Sequence, residues 1–147
     1  MLVTKGIEPG PGEEHQAIDV RPDARTFRAL TEDLHRIRSY VRDEVAGAGL
    51  PSEVVADLVL AVSEACANAA LYSEGSEIRV QIDIARGRVE VRVEDEGVFK
   101  ARIPIPSIDG RGGRGIPLMI ALMDEVSIHE GNQGAPGTVV RLVKYAA

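Results

Sequence analysis

The sequence contains no tryptophan, and aromatic residues make up only 3% of its 147 residues. The hydrophobic core must therefore be built from valine, isoleucine, leucine and alanine, within a hydrophobic fraction of 44%. A single cysteine excludes an intrachain disulfide and a cysteine-rich metal site, and it suits a reducing compartment. A chain of this length buries enough surface to fold as one domain without either device.

The chain also lacks an excess of positive charge, since its formal net charge is -6. This argues against nucleic-acid binding, which needs a basic surface. It does not argue against binding a phosphorylated ligand, because backbone N–H groups and a metal ion can hold phosphates. The first residues lack the apolar core of a signal peptide, and no apolar run approaches the length of a membrane span. We therefore expect a cytoplasmic protein that binds neither nucleic acid nor membranes.

Glycine and proline in residues 1–14 predict a flexible leader, which leaves residues 15–147 as one domain. The spacing of apolar residues in this domain predicts, in order, a strand at 15–20, helices at 24–48 and 51–71, a hairpin of strands at 78–84 and 89–93, a helix at 116–123, and strands at 125–129 and 138–144. Hairpin strands with helices clustered between them favour a two-layer α/β (α+β) sandwich with the helices on one face.

Glu64 and Asn68 are four residues apart on the second predicted helix, so both lie on one face. The oxygen of a carboxamide can ligate Mg²⁺, while a carboxylate one turn away polarises a water or a hydroxyl. The simpler interpretation is a solvated helix face with two polar residues. Cys66, between them, falls in the buried stripe of the helix and is interpreted as a core residue.

Asp95 continues the alternation of the second hairpin strand, which predicts that its carboxylate faces inward. An inward carboxylate needs hydrogen-bond donors, and the amino group of an adenine would supply one. Gly97 would allow a flat ring to approach the backbone closely. The alternative is an ordinary Asp-Glu-Gly turn.

Residues 96–115 form a predicted loop of unusual length, which is typical of a functional segment. The loop ends in a glycine-rich run at 110–115, where Arg111 and Arg114 add positive charge directly before a helix. Such a run can cradle phosphates, although it can equally be a surface loop. Gly137 and Thr138 read, on their own, as a turn that enters the last strand.

These motifs together resemble those of the GHKL ATPase superfamily, and of its anti-sigma-factor serine kinase branch in particular. The resemblance covers roughly residues 15–145, and it rests on four segments in this order: Glu-Ala-Cys-Ala-Asn-Ala at 64–69, Asp-Glu-Gly at 95–97, Gly-Arg-Gly-Ile-Pro-Leu-Met at 113–119, and Gly-Thr at 137–138. The family's fold, a mixed and mostly antiparallel sheet with helices on one face, agrees with the order of elements predicted above.

The resemblance implies a role for each matching residue. Asn68 would ligate Mg²⁺ between the phosphates of ATP, and Glu64 would act as the general base. The nucleotide would be bound by residues that recognise adenine or its phosphates: Asp95, Gly97 and Thr138 near the adenine, and Gly113, Arg114 and Gly115 in the lid over the phosphates. The implied activity is phosphorylation of a Ser or Thr of an anti-sigma-factor antagonist. The implied second partner is a sigma factor, which the kinase sequesters, and members of the family often form homodimers.

Two positions depart from the family pattern. Tyr72 stands where the family often has a histidine, and Phe99 stands where a second glycine is usual. They leave open an alternative function, a regulatory module that binds nucleotide and a partner protein without transferring phosphate. The detached ATPase domain of a histidine kinase is a further alternative, which is disfavoured because no helix with a phosphoacceptor histidine precedes the domain.

Overall fold

The computed structural model describes residues 2–5, 24–72, 76–85, 87–96, 115–132 and 135–145. Its strands are β1 (Leu2–Lys5), β2 (Arg25–Arg28), β3 (Glu77–Ala85), β4 (Arg88–Asp95), β5 (Glu125–Asn132) and β6 (Ala135–Tyr145). Its helices are α1 (Leu34–Ala46), α2 (Ser52–Tyr72) and α3 (Gly115–Leu122), with a 3₁₀ turn at Thr31–Asp33 before α1.

The six strands form one sheet in the order β1-β5-β6-β4-β3-β2. Every neighbouring pair among these described strands is antiparallel. The described helices and one face of the sheet share a single hydrophobic core. The predicted two-layer α+β sandwich is therefore confirmed, with an antiparallel sheet where the resemblance implies a mixed, mostly antiparallel one.

The β3–β4 hairpin forms as its alternating pattern predicts, and it sets the two faces of the sheet. Val89, Val91 and Val93 point into the core, and Val91 and Val93 lie opposite Ile82 and Val80 of β3. Gly87 in the turn has a φ of 71°, a left-handed conformation that glycine adopts without strain. We call the side of the sheet that carries these valines the helix face.

Helix α2 is the central helix of the layer, and its bounds match the predicted ones. Leu58, Val62 and Cys66 are buried, as a core stripe of helical period requires. Residues Ser52–Leu71 have a mean hydropathy of 1.7 and are long enough to cross a membrane. By length and composition, the prediction that no apolar run approaches a membrane span is therefore wrong for this helix. However, 44% of that window is buried within the domain, and core helices meet the same criterion.

The predicted helix at 24–48 is wrong at its start. Arg25–Arg28 form strand β2, and Phe27 lies opposite Ile78 of β3. The interval between Phe27 and the apolar residues that follow it would also suit a helix. In the structure Phe27 belongs to strand β2, and its ring packs against that of Tyr40 of α1, with ring centroids 5.8 Å apart. The backbone N–H of Arg28 donates to Asp33 Oδ2 at 3.0 Å, which closes the turn before α1 begins.

The leader prediction is also wrong for Leu2–Lys5, which pair with β5 as an edge strand. Four residues without strong alternation carry too weak a pattern for this strand to be read from sequence. The predicted strand at 15–20, the remainder of the leader and most of the predicted long loop lie outside the described residues.

Candidate functional site

The first half of the candidate site is a pair of polar side chains on one helix, α2. Glu64 and Asn68 lie one turn apart on α2 and are both half-buried, while their neighbours Ala65 and Ala69 are buried in the core. Both alanines belong to the hydrophobic core that α2 shares with the sheet, so the two half-buried polar side chains lie at the edge of that core. Arg38 of α1 donates to Ser63 Oγ at 3.1 Å, directly before Glu64, and so fixes this turn of α2 against α1.

The second half of the site is a cross-strand pair. Asp95 at the end of β4 lies opposite Thr138 of β6 and, on its other side, opposite Ile78 of β3. Thr138 is only 3% exposed, and it is one of the few polar residues in the core. Asp95 therefore lies on the helix face, as its alternation with the hairpin valines predicts.

Cys66 lies on α2 between Glu64 and Asn68, and its side chain is fully buried in the core. Burial raises the pKa of the Cys66 thiol to about 12, and the negative charge of Asp95 contributes to the rise. Helix α2 packs against β4 and β6, the strands that carry Asp95 and Thr138. The structure thus pairs Asp95 with Thr138 and places Glu64 and Asn68 on the helix that packs against the same two strands.

Gly137 has a role that sequence reasoning missed. It lies within β6 rather than in a turn, with a φ of 134°, and a Cβ there would come within 3.3 Å of the Asp95 backbone oxygen. A side chain at this position would push the end of β4 away and strain the backbone. The Gly-Thr pair therefore positions Asp95 and Thr138 against each other, which only the pairing of β4 with β6 could reveal.

Of the glycine-rich segment, the described part begins at Gly115, the first residue of α3. The predicted site residues Gly97, Gly113 and Arg114 lie outside the described residues. Helix α3 packs into the core through Met119, which is fully buried. Gly115 thus begins a helix that belongs to the same core as α2.

Lys144 is a second residue whose contacts the sequence pattern does not predict. It follows Val140 and Leu142 on the helix face, and its ammonium donates to the backbone oxygen of Leu122, at the end of α3, at 2.8 Å. The same ammonium lies 3.7 Å from Asp57 Oδ2, on α2. A lysine that continues a buried alternation is the sequence signal that could have identified it.

The donor set in this region fits ATP. The Asp95 carboxylate can accept from the amino group of an adenine, and the Thr138 hydroxyl can donate to or accept from the ring. Asn68 offers one oxygen of the kind that Mg²⁺ prefers, and Mg²⁺ usually takes its other ligands from phosphates and water. The residues present therefore suit a magnesium ion that is bound together with the nucleotide.

The opposite side of the sheet, which we call the charged face, carries Arg88, Glu90, Arg92, Glu125 and Arg141. Glu90 accepts from Arg88 at 2.9 Å and from Arg141 at 3.1 Å, and Arg141 also reaches Glu125 at 3.4 Å. Tyr145 donates a short hydrogen bond to Glu125, which raises the pKa of its phenol. Among the described residues, these opposite charges are therefore paired with one another across the strands.

Comparison with known proteins gives the same picture from the sequence. The profile of the "Histidine kinase-like ATPase domain" family matches residues 27–144. "Serine-protein kinase RsbW" of Bacillus subtilis is 33% identical over 113 residues, which cover 66% of this chain and 68% of that protein. "Anti-sigma F factor" of Pasteuria penetrans is 33% identical over 132 residues, which cover 80% of this chain and 86% of that protein.

A solved structure supports the fold. The crystal structure of the RsbU and RsbW domains of a Mycobacterium tuberculosis protein superposes with a TM-score of 0.60 at 22% identity. The match covers 86% of this chain and 33% of that longer chain. At this identity the likeness concerns the arrangement of helices and strands alone.

Proposed function

The chain belongs to the histidine kinase-like ATPase domain family and to its anti-sigma kinase branch, and from this premise we propose that it is a Mg-ATP-dependent protein serine/threonine kinase and anti-sigma factor. Its substrate would be a Ser or Thr of an anti-sigma-factor antagonist, and it would sequester a sigma factor. The names of its relatives, a serine-protein kinase and an anti-sigma factor, support both activities. A cytoplasmic location and a homodimeric state are part of the same proposal.

The observation that carries the proposal is that Asp95 and Thr138 lie opposite each other on the face of β4 and β6 against which α2, the helix of Glu64 and Asn68, packs. One pair matches the hydrogen-bonding edge of an adenine, and the other matches a metal ion and a reacting hydroxyl. The two pairs come from elements that are far apart in sequence and that pack against each other in this fold.

The residues divide the work of phosphoryl transfer. Asp95 and Thr138 bind and orient the adenine, and Asn68 contributes an oxygen ligand to the metal. Bound Mg²⁺ supplies positive charge that neutralises the phosphate oxygens. Glu64, one turn from Asn68, orients the substrate hydroxyl and accepts its proton on a carboxylate oxygen. Catalysis of this kind depends mainly on positioning and electrostatics, which a rigid helix beside a sheet provides.

The test is transfer of labelled γ-phosphate from ATP to a purified anti-sigma-factor antagonist. Glu64→Gln is expected to lower transfer by roughly 10²–10⁴, the range for removal of a general base. Because Glu64 does not hold the adenine, the Kd for Mg-ATP should change little. Glu53→Gln, in the exposed first turn of the same helix, is the matched control and should transfer at the wild-type rate. Transfer by Glu64→Gln at the wild-type rate would show that Glu64 is not the base.

A second candidate function is supported by the departures at Tyr72 and Phe99. On this alternative, the chain binds Mg-ATP and holds a partner protein but transfers no phosphate. Wild-type protein that binds Mg-ATP, binds the partner and yet leaves the antagonist unlabelled would establish this alternative in place of the kinase.

A further inference from the structure

Strand β1 forms one edge of the described sheet, and it is attached differently from the strand at the other edge. Leu2–Lys5 pair antiparallel with residues 126–129 of β5. Among the described elements, β5 is the one with which β1 makes its main contacts. At the opposite edge, β2 pairs with β3 and also contributes Phe27 to the hydrophobic core. The position of β1 therefore depends mainly on its pairing with a single strand.

Strand β1 also lies outside the part of the chain that the family profile matches. The match covers residues 27–144, which include all of β5 but not Leu2–Lys5. In the sheet formed by the other described strands, β5 would be the edge. An edge strand presents a row of backbone N–H and C=O groups to which another strand can pair. In this chain, β1 covers that row.

The cover is short compared with the strand beneath it. Strand β5 extends over Glu125–Asn132, whereas the register of β1 pairs it with residues 126–129. A pairing of four residues makes few backbone hydrogen bonds, and short terminal elements open at a low free-energy cost. A longer extended segment can pair with more of β5 than Leu2–Lys5 do.

The length of the connection between the two edge strands allows β1 to leave β5. Strands β1 and β2 lie at opposite edges of the six-stranded sheet, about 24 Å apart at about 4.8 Å per interstrand spacing. Residues 6–23 lie between the described parts of the chain that carry them, and 18 residues can span up to about 60 Å. A tether of this kind keeps a detached strand at an effective concentration of about the millimolar order.

We propose that the outer edge of β5 is a strand-docking site that the chain's own strand, Leu2–Lys5, closes reversibly. When β1 detaches, the same edge accepts another extended segment through antiparallel backbone pairing. A free peptide with the sequence of β1 is the simplest such segment, because it can adopt the observed register. The inference concerns β1 and β5 alone, and it does not depend on ATP binding or phosphoryl transfer.

The residues of β5 indicate which segments the edge takes. Val126 and Ile128 are buried, whereas Ser127 is half-buried and His129 is exposed. In the observed register Val3 lies opposite Ile128. A β-branched residue at that position suits a strand, and pairs of apolar residues opposite each other stabilise a sheet. The site is therefore suited to an extended segment with an apolar β-branched residue opposite Ile128.

Hydrogen exchange of the full chain without ligand tests the reversible closure. Successive residues of an antiparallel strand direct their N–H groups to opposite neighbours, so alternate amides of residues 126–129 face β1 and the others face β6. In the wild type, the amides that face β1 should exchange at least about tenfold faster than those that face β6, because detachment of β1 exposes them.

Proline variants of β1 sharpen this measurement. Val3→Pro and Thr4→Pro alter adjacent residues, so one of the two removes an N–H that pairs with β5. That variant should speed exchange of the amides facing β1 about a further tenfold and leave the Val41 and Val45 amides of α1 unchanged. Val3→Ile keeps the N–H and the preference for a strand, so it is the matched control and should exchange as the wild type does.

A peptide added in trans tests the docking site itself. The probe is the hexapeptide Met-Leu-Val-Thr-Lys-Gly, the sequence of residues 1–6, titrated at millimolar concentration while the amide shifts of residues 126–129 are followed by NMR. The tethered strand competes with the probe in the wild type, so the apparent Kd should be at least about tenfold lower for the proline variant that opens the edge. The same hexapeptide with proline at its third position should bind neither protein.

Each contrary outcome overturns the inference. Equal exchange of the two sets of β5 amides in the wild type, or exchange that neither proline variant changes, would show that β1 does not close the edge reversibly. Faster exchange of α1 as well as β5 in the proline variants would show that β1 belongs to the cooperative core. Equal peptide affinity for wild type and variants, or no binding to either, would show that the edge is not a docking site. Because no arm uses ATP, failure of the proposed function leaves these results unaffected.

Discussion

The two faces of the sheet use the same strands in opposite ways. On the helix face, apolar residues such as Val91 and Leu142 fill the middle of β4 and β6, and polar residues occur only near the strand ends, as Asp95, Thr138 and Lys144. On the charged face, Glu90 and Arg141 lie in the middle of the strands and neutralise each other. Polar groups at the margin of an apolar core keep their capacity to bind a ligand or another element, whereas paired charges satisfy one another.

This comparison predicts that apolar substitutions differ sharply between the faces. Leu142→Ala leaves a cavity in the core of the helix face and is expected to lower the free energy of unfolding by about 2–5 kcal/mol. Val139→Ala, on the same strand but half-buried on the charged face, should cost less than about 1.5 kcal/mol. Urea unfolding of both variants measures the difference. Equal losses would contradict the assignment of the core to one face.

A second prediction concerns the pH dependence of stability. Burial in the core, together with the negative charge of Asp95, raises the pKa of the Cys66 thiol to about 12. The unfolded thiol has a pKa of about 8.5, so above that pH the unfolded state binds fewer protons than the native state. The free energy of unfolding should therefore fall as pH rises, by about 2 kcal/mol between pH 8 and pH 10.

Cys66→Ala is the control for the pH experiment, because it removes the thiol and should remove this part of the slope. The measurement is urea unfolding of both proteins at several pH values. Identical slopes for the two proteins would show that the thiol is not buried beside Asp95 in the native state.

The smallest effect is expected on the charged face. Glu90→Gln removes the carboxylate shared by Arg88 and Arg141, and it should lower the free energy of unfolding by about 1 kcal/mol, since these pairs are partly exposed. The loss should shrink at high salt, because salt screens exposed charges. Mg-ATP affinity should stay at the wild-type value, and a large loss of affinity would mean that the two faces are not independent.

Strongly periodic segments could be predicted from sequence, and contacts between distant segments could not. Helix α2 and the β3–β4 hairpin have long periodic apolar patterns, so their predicted bounds nearly match the observed ones. The sequence predicts the start of a helix where β2 forms, because the position of Phe27 suits either structure and only pairing with β3 decides between them.

The residues of the candidate site likewise include features that the sequence predicts and features that it does not. The inward direction of Asp95 follows from alternation within one strand. Its pairing with Thr138 and the close approach of Gly137 depend on the register between β4 and β6, which no local pattern encodes. The contact of Lys144 with Leu122 depends in addition on where α3 ends against the sheet.

The central claim is that the Asp95–Thr138 end of the helix face binds the adenine of ATP, and thermal unfolding with and without Mg-ATP tests it most directly. Ligand at about a hundred times its Kd stabilises the native state by about 2.7 kcal/mol, which corresponds to a rise in Tm of about 5–10 °C for a domain of this size. We expect that rise in the wild type and its loss in Asp95→Asn, whose amide offers the adenine amino group a weaker acceptor. An equal rise in both proteins, or none in the wild type, would contradict the claim.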